Sequence, residues 1–249
     1  VYAGTKPAYM FVSHDAGESW AELTAFQRIT GRWLWLSPAE RPYIGYVQGI
    51  ALSPTDPQRL VVGIEAGATV LSCDGGRSWT GHVSGALRDC HTLAFHATQG
   101  EWVYASGGGW GSKGWAGWST SAFSRDAGLT WSRGGSGLDR SYGWAVAADP
   151  EQPDLWYISA APGPFKAHSE NDAHAIVFRS EGARWRQLAG GLPQPLDHMP
   201  YALLTERGAP GQIYAGLSNG AIWRSADYGD HWEQLSLSLG RIERSLIML

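Results

Sequence analysis

The chain has 249 residues, of which 43% are hydrophobic and 17% charged, with a net charge of -4. This composition is typical of a soluble globular protein with a sizeable core, and it offers no basic field for nucleic acid, no apolar run long enough for a bilayer and no leader segment. We therefore expect a protein that binds neither nucleic acid nor membrane. Its 33 glycines and 14 tryptophans are typical of short strands joined by tight turns and held together by large rings, which predicts an all-β fold.

The two cysteines, Cys73 and Cys90, are expected at opposite ends of one structural unit, too far apart for a disulfide. Free thiols favour a reducing compartment, so we expect a cytoplasmic protein. The chain opens with Val1 inside a predicted strand, which suggests that the native chain begins upstream.

A sequence repeat runs through the chain. Four segments read Ser-x-Asp-x-Gly-x-x-Trp and align without gaps: residues 13–20, 72–79, 124–131 and 225–232. A shortened copy lies at 180–185, where the spacing requires one, and the tryptophans of successive copies are 47 to 59 residues apart. A fixed period of this kind predicts one repeat-built domain spanning 1–249.

Each position of the repeat suits a tight hairpin turn. The glycine supplies a backbone conformation with positive φ, and the aspartate can accept hydrogen bonds from turn amides. The serine can hydrogen-bond across the hairpin, while the tryptophan can bury its ring between neighbouring sheets. Because the same residues recur in every copy, we interpret these aspartates as architectural rather than catalytic or metal-binding.

Short strands precede each copy of the motif. Two units are predicted to hold four strands each, at 50–53, 59–63, 69–72 and 78–83, then at 92–95, 102–106, 122–124 and 130–133. Proline-rich turns at 53–57 and 149–153 occupy equivalent positions. Four strands per unit of this length predict the blades of a β-propeller rather than a sandwich.

The two ends of the chain predict how the ring closes. Residues 1–5 match 60–64 and 213–217, which are second strands, whereas 242–249 resemble a lone first strand. Terminal strands sharing one sheet would remove exposed edges. We therefore predict five blades closed in this way, with a six- or seven-bladed longer parent as the alternative.

With these motifs the sequence resembles the BNR/Asp-box propeller superfamily, which includes sialidases, xyloglucanase-type glycoside hydrolases, sortilin-type receptors and photosystem II assembly factors. The resemblance covers nearly the whole chain and implies a propeller, but it does not distinguish these functions. A typical sialidase is not expected, because the family's Arg-Ile-Pro motif is absent and Arg28-Ile29-Thr30 is a poor substitute.

In propellers the turn between the third and fourth strands faces away from the functional mouth, so a site is expected where the chain enters the innermost strands, at 41–46, 88–91, 139–144, 197–201 and 241–244. The candidate catalytic acids are Asp89, Asp139 and Asp197. The candidate ligand-binding residues are Arg88, His91, Trp110, Arg140, Tyr142, Trp144, His198, Tyr201 and Arg244. Alternatively, these side chains form inter-blade ion pairs that close the channel.

Three long segments are expected on the same face. Residues 106–118 carry three tryptophans that could stack on sugars or cap blades, and 23–41 form another insertion. Residues 161–175 form either a charged lid or a solvated loop, with Lys166, His168, Glu170, Asp172 and His174.

Carboxylates and rings converging on one mouth favour a carbohydrate-type or other small-molecule ligand, either bound only or also hydrolysed by two carboxylates. The alternative is a noncatalytic protein-interaction or assembly-factor propeller, which would use the same exposed rings. A metal site from His91, His198, Asp89 and Asp197 lacks short ligand spacing, so no metal and no cofactor are predicted. The protein is expected to be a monomer.

Overall fold

The computed structural model describes residues 1–38, 41–108 and 119–244. The strands are β1 (Tyr2–Gly4), β2 (Met10–Val12), β3 (Ala21–Glu22), β4 (Val47–Leu52), β5 (Leu60–Ile64), β6 (Thr69–Ser72), β7 (Cys90–Phe95), β8 (Val103–Gly107), β9 (Ser121–Ser124), β10 (Ser132–Arg133), β11 (Tyr142–Ala148), β12 (Trp156–Ala161), β13 (Ile176–Glu181), β14 (Arg184–Gln187), β15 (Pro200–Glu206), β16 (Ala209–Leu217), β17 (Ala221–Ser225) and β18 (Glu233–Ser238). Helix is confined to the 3-10 turns Thr24–Arg28 and Arg32–Leu34 and the short α-helix Pro164–Ala167 in the described ranges. None of these helices has the length and apolar content to cross a bilayer.

The strands form five antiparallel sheets, which we call blades 1 to 5. Blades 1 and 2 have three strands each, β1-β2-β3 and β4-β5-β6, and blades 3 to 5 have four, β7 to β10, β11 to β14 and β15 to β18. Within each blade, every strand pairs with its neighbours in sequence, as in blade 4, where Ile158 lies opposite Phe178. The first strands β4, β7, β11 and β15 contact one another in turn, so they line the centre. The predicted all-β, five-bladed architecture is confirmed.

One strand prediction was wrong. Residues 78–83 do not form a fourth strand in blade 2, although the Thr80 and Val83 amides donate to Leu71 and Thr69 carbonyls at 2.9 and 3.0 Å. Thr80 Oγ1 also accepts from the Leu71 amide at 2.9 Å. A side chain therefore replaces a backbone partner, and the regular ladder is interrupted.

The four full motif copies have the same hydrogen bonds. In the third copy, Ser124 Oγ donates to Asp126 Oδ1 at 2.8 Å and accepts from the Gly128 amide at 2.9 Å. Asp126 Oδ1 also accepts from the Thr130 amide at 2.8 Å, and Trp131 Nε1 donates to the Gly128 carbonyl at 3.0 Å. The matching aspartates are Asp15, Asp74 and Asp227. Each of these carboxylates accepts hydrogen bonds within its own turn, as expected for a structural role.

The motif turn requires a second residue with positive φ, which the sequence pattern does not show. Gly128 has φ of +92°, as predicted for this position, but the preceding Ala127 also has positive φ, +58°. The same holds for Ala16 and Tyr228. Left-handed backbone is unfavourable for residues with a side chain, so the serine and aspartate hydrogen bonds must offset that strain.

The motif tryptophans of blades 2 to 5 join each of these blades to the one before it. Trp131 of blade 3 packs in one apolar cluster with Val61 and Leu71 of blade 2. Trp232 packs likewise with Leu188 of blade 4. Even the shortened copy keeps this contact, because Trp185 is buried with Tyr104 of blade 3. The core therefore consists of inter-blade clusters, each of which includes one motif tryptophan.

The predicted ring closure lies partly outside the described residues, which end at Arg244. Tyr2–Gly4 pairs with β2 as a second strand of blade 1 would. Near the other end, Ile242 is buried in the cluster formed by blades 4 and 5, and Arg244 Nη1 donates to Gln48 Oε1 at 3.2 Å. Shared sheet pairing of the two terminal segments therefore stays a prediction.

Candidate functional site

The innermost strands all begin at one face, which we call the mouth. A cavity of about 270 Å³ lies between them, lined by Gln48, His91, Trp144, Tyr201 and Arg244 together with strand backbone. Each of the first four residues lies within the first three positions of β4, β7, β11 or β15. Four blades and the C-terminal segment thus contribute one polar or aromatic side chain each to the same space.

A histidine and two carboxylates form a buried cluster at the mouth. His91 Nε2 lies 3.5 Å from Asp89 Oδ1 and 3.7 Å from Glu65 Oε2, and all three residues are buried. Asp89 Oδ1 also accepts from the Ala66 amide at 3.0 Å. On the other side of the ring, His91 Nδ1 donates to the Gly143 carbonyl at 2.6 Å. The cluster therefore joins blades 2, 3 and 4.

Burial and the neighbouring charges shift the pKa values of Glu65 and His91. Burial, and then the charge of Asp89, raise the pKa of the Glu65 carboxyl well above its usual range. Burial alone would lower the pKa of His91, but the Asp89 and Glu65 carboxylates outweigh it and raise that pKa. A cation between the two carboxylates is therefore favoured electrostatically.

A hydrogen-bonded row of rings extends from this cluster along the mouth. The Tyr201 hydroxyl donates to the Ala167 carbonyl at 3.0 Å, so it accepts from His168 Nδ1 at 2.6 Å. His168 Nε2 is then left to accept from the Tyr142 hydroxyl at 2.9 Å. Burial and the charge of His91 lower the pKa of His168, which agrees with a neutral imidazole in this tautomer. Trp144 packs edge-on against Tyr201, with centroids 5.0 Å apart.

A second, wider cavity opens beside the first at the rim. Its volume is about 390 Å³, within the range of small-molecule sites. It is lined by His168, Ser169, Glu170, Asn171, His198, Tyr201, Ser218, Asn219 and Arg241. Tyr201 lines both cavities, so they adjoin. Most of the lining is uncharged and hydrogen-bonding, and the cationic Arg241 pairs with Glu243 at 3.1 Å.

The predicted acids lie in different surroundings. Asp89 is buried beside His91, whereas Asp139 is exposed and pairs with Arg140 at 2.9 Å. Asp197 is also exposed, and its backbone carbonyl accepts from the Ala173 amide at 2.8 Å. The structure therefore gives the three candidates no common environment.

The predicted ligand-binding residues divide in the same way. The central cavity is lined by His91, Trp144, Tyr201 and Arg244, with Tyr142 behind them, and the rim cavity by Tyr201 and His198. Arg88 is exposed and donates to the Gly67 carbonyl at 3.4 Å, and Arg140 donates to the His174 carbonyl at 3.1 Å. Trp110 lies outside the described residues, as does most of the tryptophan-rich segment.

The segment at 161–175 has a defined conformation. Asp172 pairs with Lys166 and, at 2.8 Å, with His174. The short helix Pro164–Ala167 presents His168 to the ring row. Lys166, Asp172 and His174 of this segment therefore pair with one another, while His168 belongs to the site.

Sequence reasoning missed Glu65 and Gln48. Glu65 follows β5 directly and so reaches the mouth, and its only sequence signal is a carboxylate at the end of an apolar strand, Leu60–Ile64. Gln48 is the second residue of β4, two residues past the segment at 41–46 that was considered.

Comparisons with solved structures agree with this architecture. A GH74 enzyme from Niastella koreensis superimposes with a TM-score of 0.64 at 15% identity, covering 91% of this chain and 34% of that one. A GH74 xyloglucanase from Xanthomonas campestris gives 0.59 at 19% identity, covering 92% and 34%. This chain has the β-propeller fold. YCF48 bound to D1 peptide is a weaker match, with a TM-score of 0.45 at 12% identity, covering 92% of this chain and 75% of that one.

The propeller spans about a third of the length of these two GH74 enzymes, and at such identities the likeness concerns the fold alone. No protein-family model and no curated protein sequence matches the chain.

Proposed function

We propose that this propeller binds a carbohydrate-type ligand at its mouth without hydrolysing it. The observation that carries the proposal is the rim cavity of about 390 Å³, which histidine, serine and asparagine residues line together with Tyr201. Neutral donors and acceptors beside an aromatic wall suit a polyhydroxy ligand, since small-molecule sites combine apolar surface with a few placed polar groups. Two fold neighbours are GH74 enzymes, one of them a xyloglucanase, which makes xyloglucan oligosaccharides the first ligands to test.

The arrangement of acids argues against hydrolysis. Glycoside hydrolysis uses two carboxylates on opposite sides of the bond, yet Glu170 is the only carboxylate among the described residues lining the rim cavity. Asp89 and Glu65 are buried on either side of His91, and Asp139 is paired with Arg140. None of these three acids lines the rim cavity, so Glu170 has no second carboxylate opposite it among the described residues.

Glycan-array screening followed by calorimetry tests the proposal with a matched pair of variants. His198→Ala removes an imidazole from the rim cavity, whereas His14→Ala removes an exposed one from the first motif copy on the opposite face. We expect the first variant to lose at least about tenfold in affinity, the cost of one or more hydrogen bonds, and the second to bind as wild type. Equal binding by both, or release of reducing sugar by wild type, would contradict the proposal.

A protein-interaction propeller is the second candidate. Trp33 is 81% exposed, and Leu34 and Leu36 beside it are each 58% exposed, on the segment that leads into β4. Clustered exposed apolar side chains are typical of interaction surfaces. If a purified protein partner binds wild type and the His198→Ala variant equally but not a Trp33→Ala variant, this candidate replaces the first.

A further inference from the structure

Glu65, Asp89 and His91 bring three potential metal ligands to one point. One carboxylate oxygen from each acid and an imidazole nitrogen all lie within 4.8 Å of one another, and all three residues are buried. They come from two blades, with Glu65 after β5 and the other two at the start of β7. The metal set considered from the sequence, which included His198 and Asp197, is not gathered anywhere in the described ranges.

The histidine itself gives a second, independent indication. The His91 side chain is fully buried, and its Nε2 has no hydrogen-bond partner among the described residues. Its Nδ1 donates to the Gly143 carbonyl at 2.6 Å. Metal-ligating histidines commonly donate their other ring N–H to a carbonyl in this way, which fixes the tautomer and aims the free nitrogen.

The distances around His91 Nε2 match those expected around a shared metal ion. An imidazolium that donated its single Nε2–H to one carboxylate would lie about 2.8 Å from that oxygen, but Nε2 lies 3.5 and 3.7 Å from the two oxygens. Ligands about 2.0–2.2 Å from a tetrahedral ion are separated by about 3.3–3.6 Å. The nitrogen-to-oxygen spacings are close to those around a shared ion.

We infer that Glu65, Asp89 and His91 bind a divalent transition-metal ion such as Zn²⁺ on the inner wall of the mouth. His91 lines the central cavity, so the ion's remaining coordination positions would face that space, as in zinc sites with three protein ligands and an open position. Gly143 acts as the outer partner that orients the imidazole. This inference is independent of the proposed carbohydrate ligand.

Calorimetric titration of the full chain with Zn²⁺, after treatment with EDTA and desalting, tests the site. We expect one equivalent to bind wild type. Glu65→Gln, Asp89→Asn and His91→Gln keep side-chain size approximately and should each weaken binding by more than about 100-fold, beyond the effect of losing an outer partner. His96→Gln is the matched control, because His96 is also buried and bonds a backbone carbonyl, that of Asp149 at 2.9 Å.

Co²⁺ provides a readout that needs no variant. In wild type it should give the intense visible absorption of a four- or five-coordinate site, abolished by one equivalent of Zn²⁺. Absence of stoichiometric Zn²⁺ binding, a Co²⁺ spectrum like that of the free aqueous ion, or equal affinity in folded wild type and all three site variants would overturn the inference. Circular dichroism establishes that each variant compared is folded.

Discussion

The two faces of the propeller are built in opposite ways. On the motif face, Asp15, Asp74, Asp126 and Asp227 make the same hydrogen bonds in every full copy. On the mouth face blades 2 to 5 each contribute a different side chain, which are Gln48, His91, Trp144 and Tyr201 in that order. The recurring aspartates are explained by the turn that every blade needs. The side chains at the mouth differ from blade to blade, so the turn does not explain them. This difference is the reason that we assign structural roles to the motif face and propose ligand binding at the mouth face.

The largest expected effect is on the motif side. Trp232 is 6% exposed and packs against blade 4, so Trp232→Ala should lower the free energy of unfolding by about 3–5 kcal/mol. Trp20 is 43% exposed and mainly donates one hydrogen bond, so Trp20→Ala should cost about 1 kcal/mol. Urea unfolding of both variants checks this, and equal losses would contradict inter-blade packing as the tryptophan's role.

A smaller loss is expected from a motif carboxylate. Asp126 accepts from the Ser124 hydroxyl and from the amide and hydroxyl of Thr130. Asp126→Ala leaves these donors without an acceptor and should cost about 1–3 kcal/mol of stability. Denaturant unfolding measures the loss. A stable variant with altered ligand binding would show that this aspartate has a functional role after all.

On the mouth side, Tyr201→Phe removes the hydroxyl that accepts from His168 Nδ1. The unpaired donor should cost about 1–2 kcal/mol and release His168 from its fixed orientation, visible as a shifted imidazole resonance by NMR. Tyr214→Phe is the control, because Tyr214 is a partly buried tyrosine that packs against the cluster of blades 4 and 5 and lines neither cavity. An unchanged His168 resonance in the Tyr201→Phe variant would contradict the hydrogen-bonded row of rings described above.

The smallest expected effect is on stability at low pH, through the carboxylate of Asp227. Burial would raise the pKa of Asp227, but hydrogen bonds from His231 and Ser225 outweigh it and lower the pKa to about 2. Since this lies below the value of about 3.9 for an unfolded chain, the carboxylate stabilises the fold above about pH 4 and loses that contribution as the pH falls toward 2. Melting temperatures between pH 2 and 5 should fall less steeply in Asp227→Asn. An identical slope in both proteins would rule out this carboxylate as a source of acid sensitivity.

The sequence predicted the repeated part of the molecule far better than the site. The motif spacing was sufficient for the blades, because the serine, aspartate, glycine and tryptophan of each turn interact within eight residues. The mouth depends on contacts between blades: His91 and its acceptor Gly143 are 52 residues apart. Glu65 had no motif around it, so only the fold could bring it to His91.

The most direct test of the division between faces compares Asp126→Ala with His198→Ala for two properties, stability and binding to the same glycan array. We predict that Asp126→Ala unfolds at lower denaturant yet keeps the wild-type binding profile, whereas His198→Ala keeps its stability and loses the bound glycans. The reverse pattern, with binding lost in the folded motif variant and kept in the mouth variant, would contradict the account.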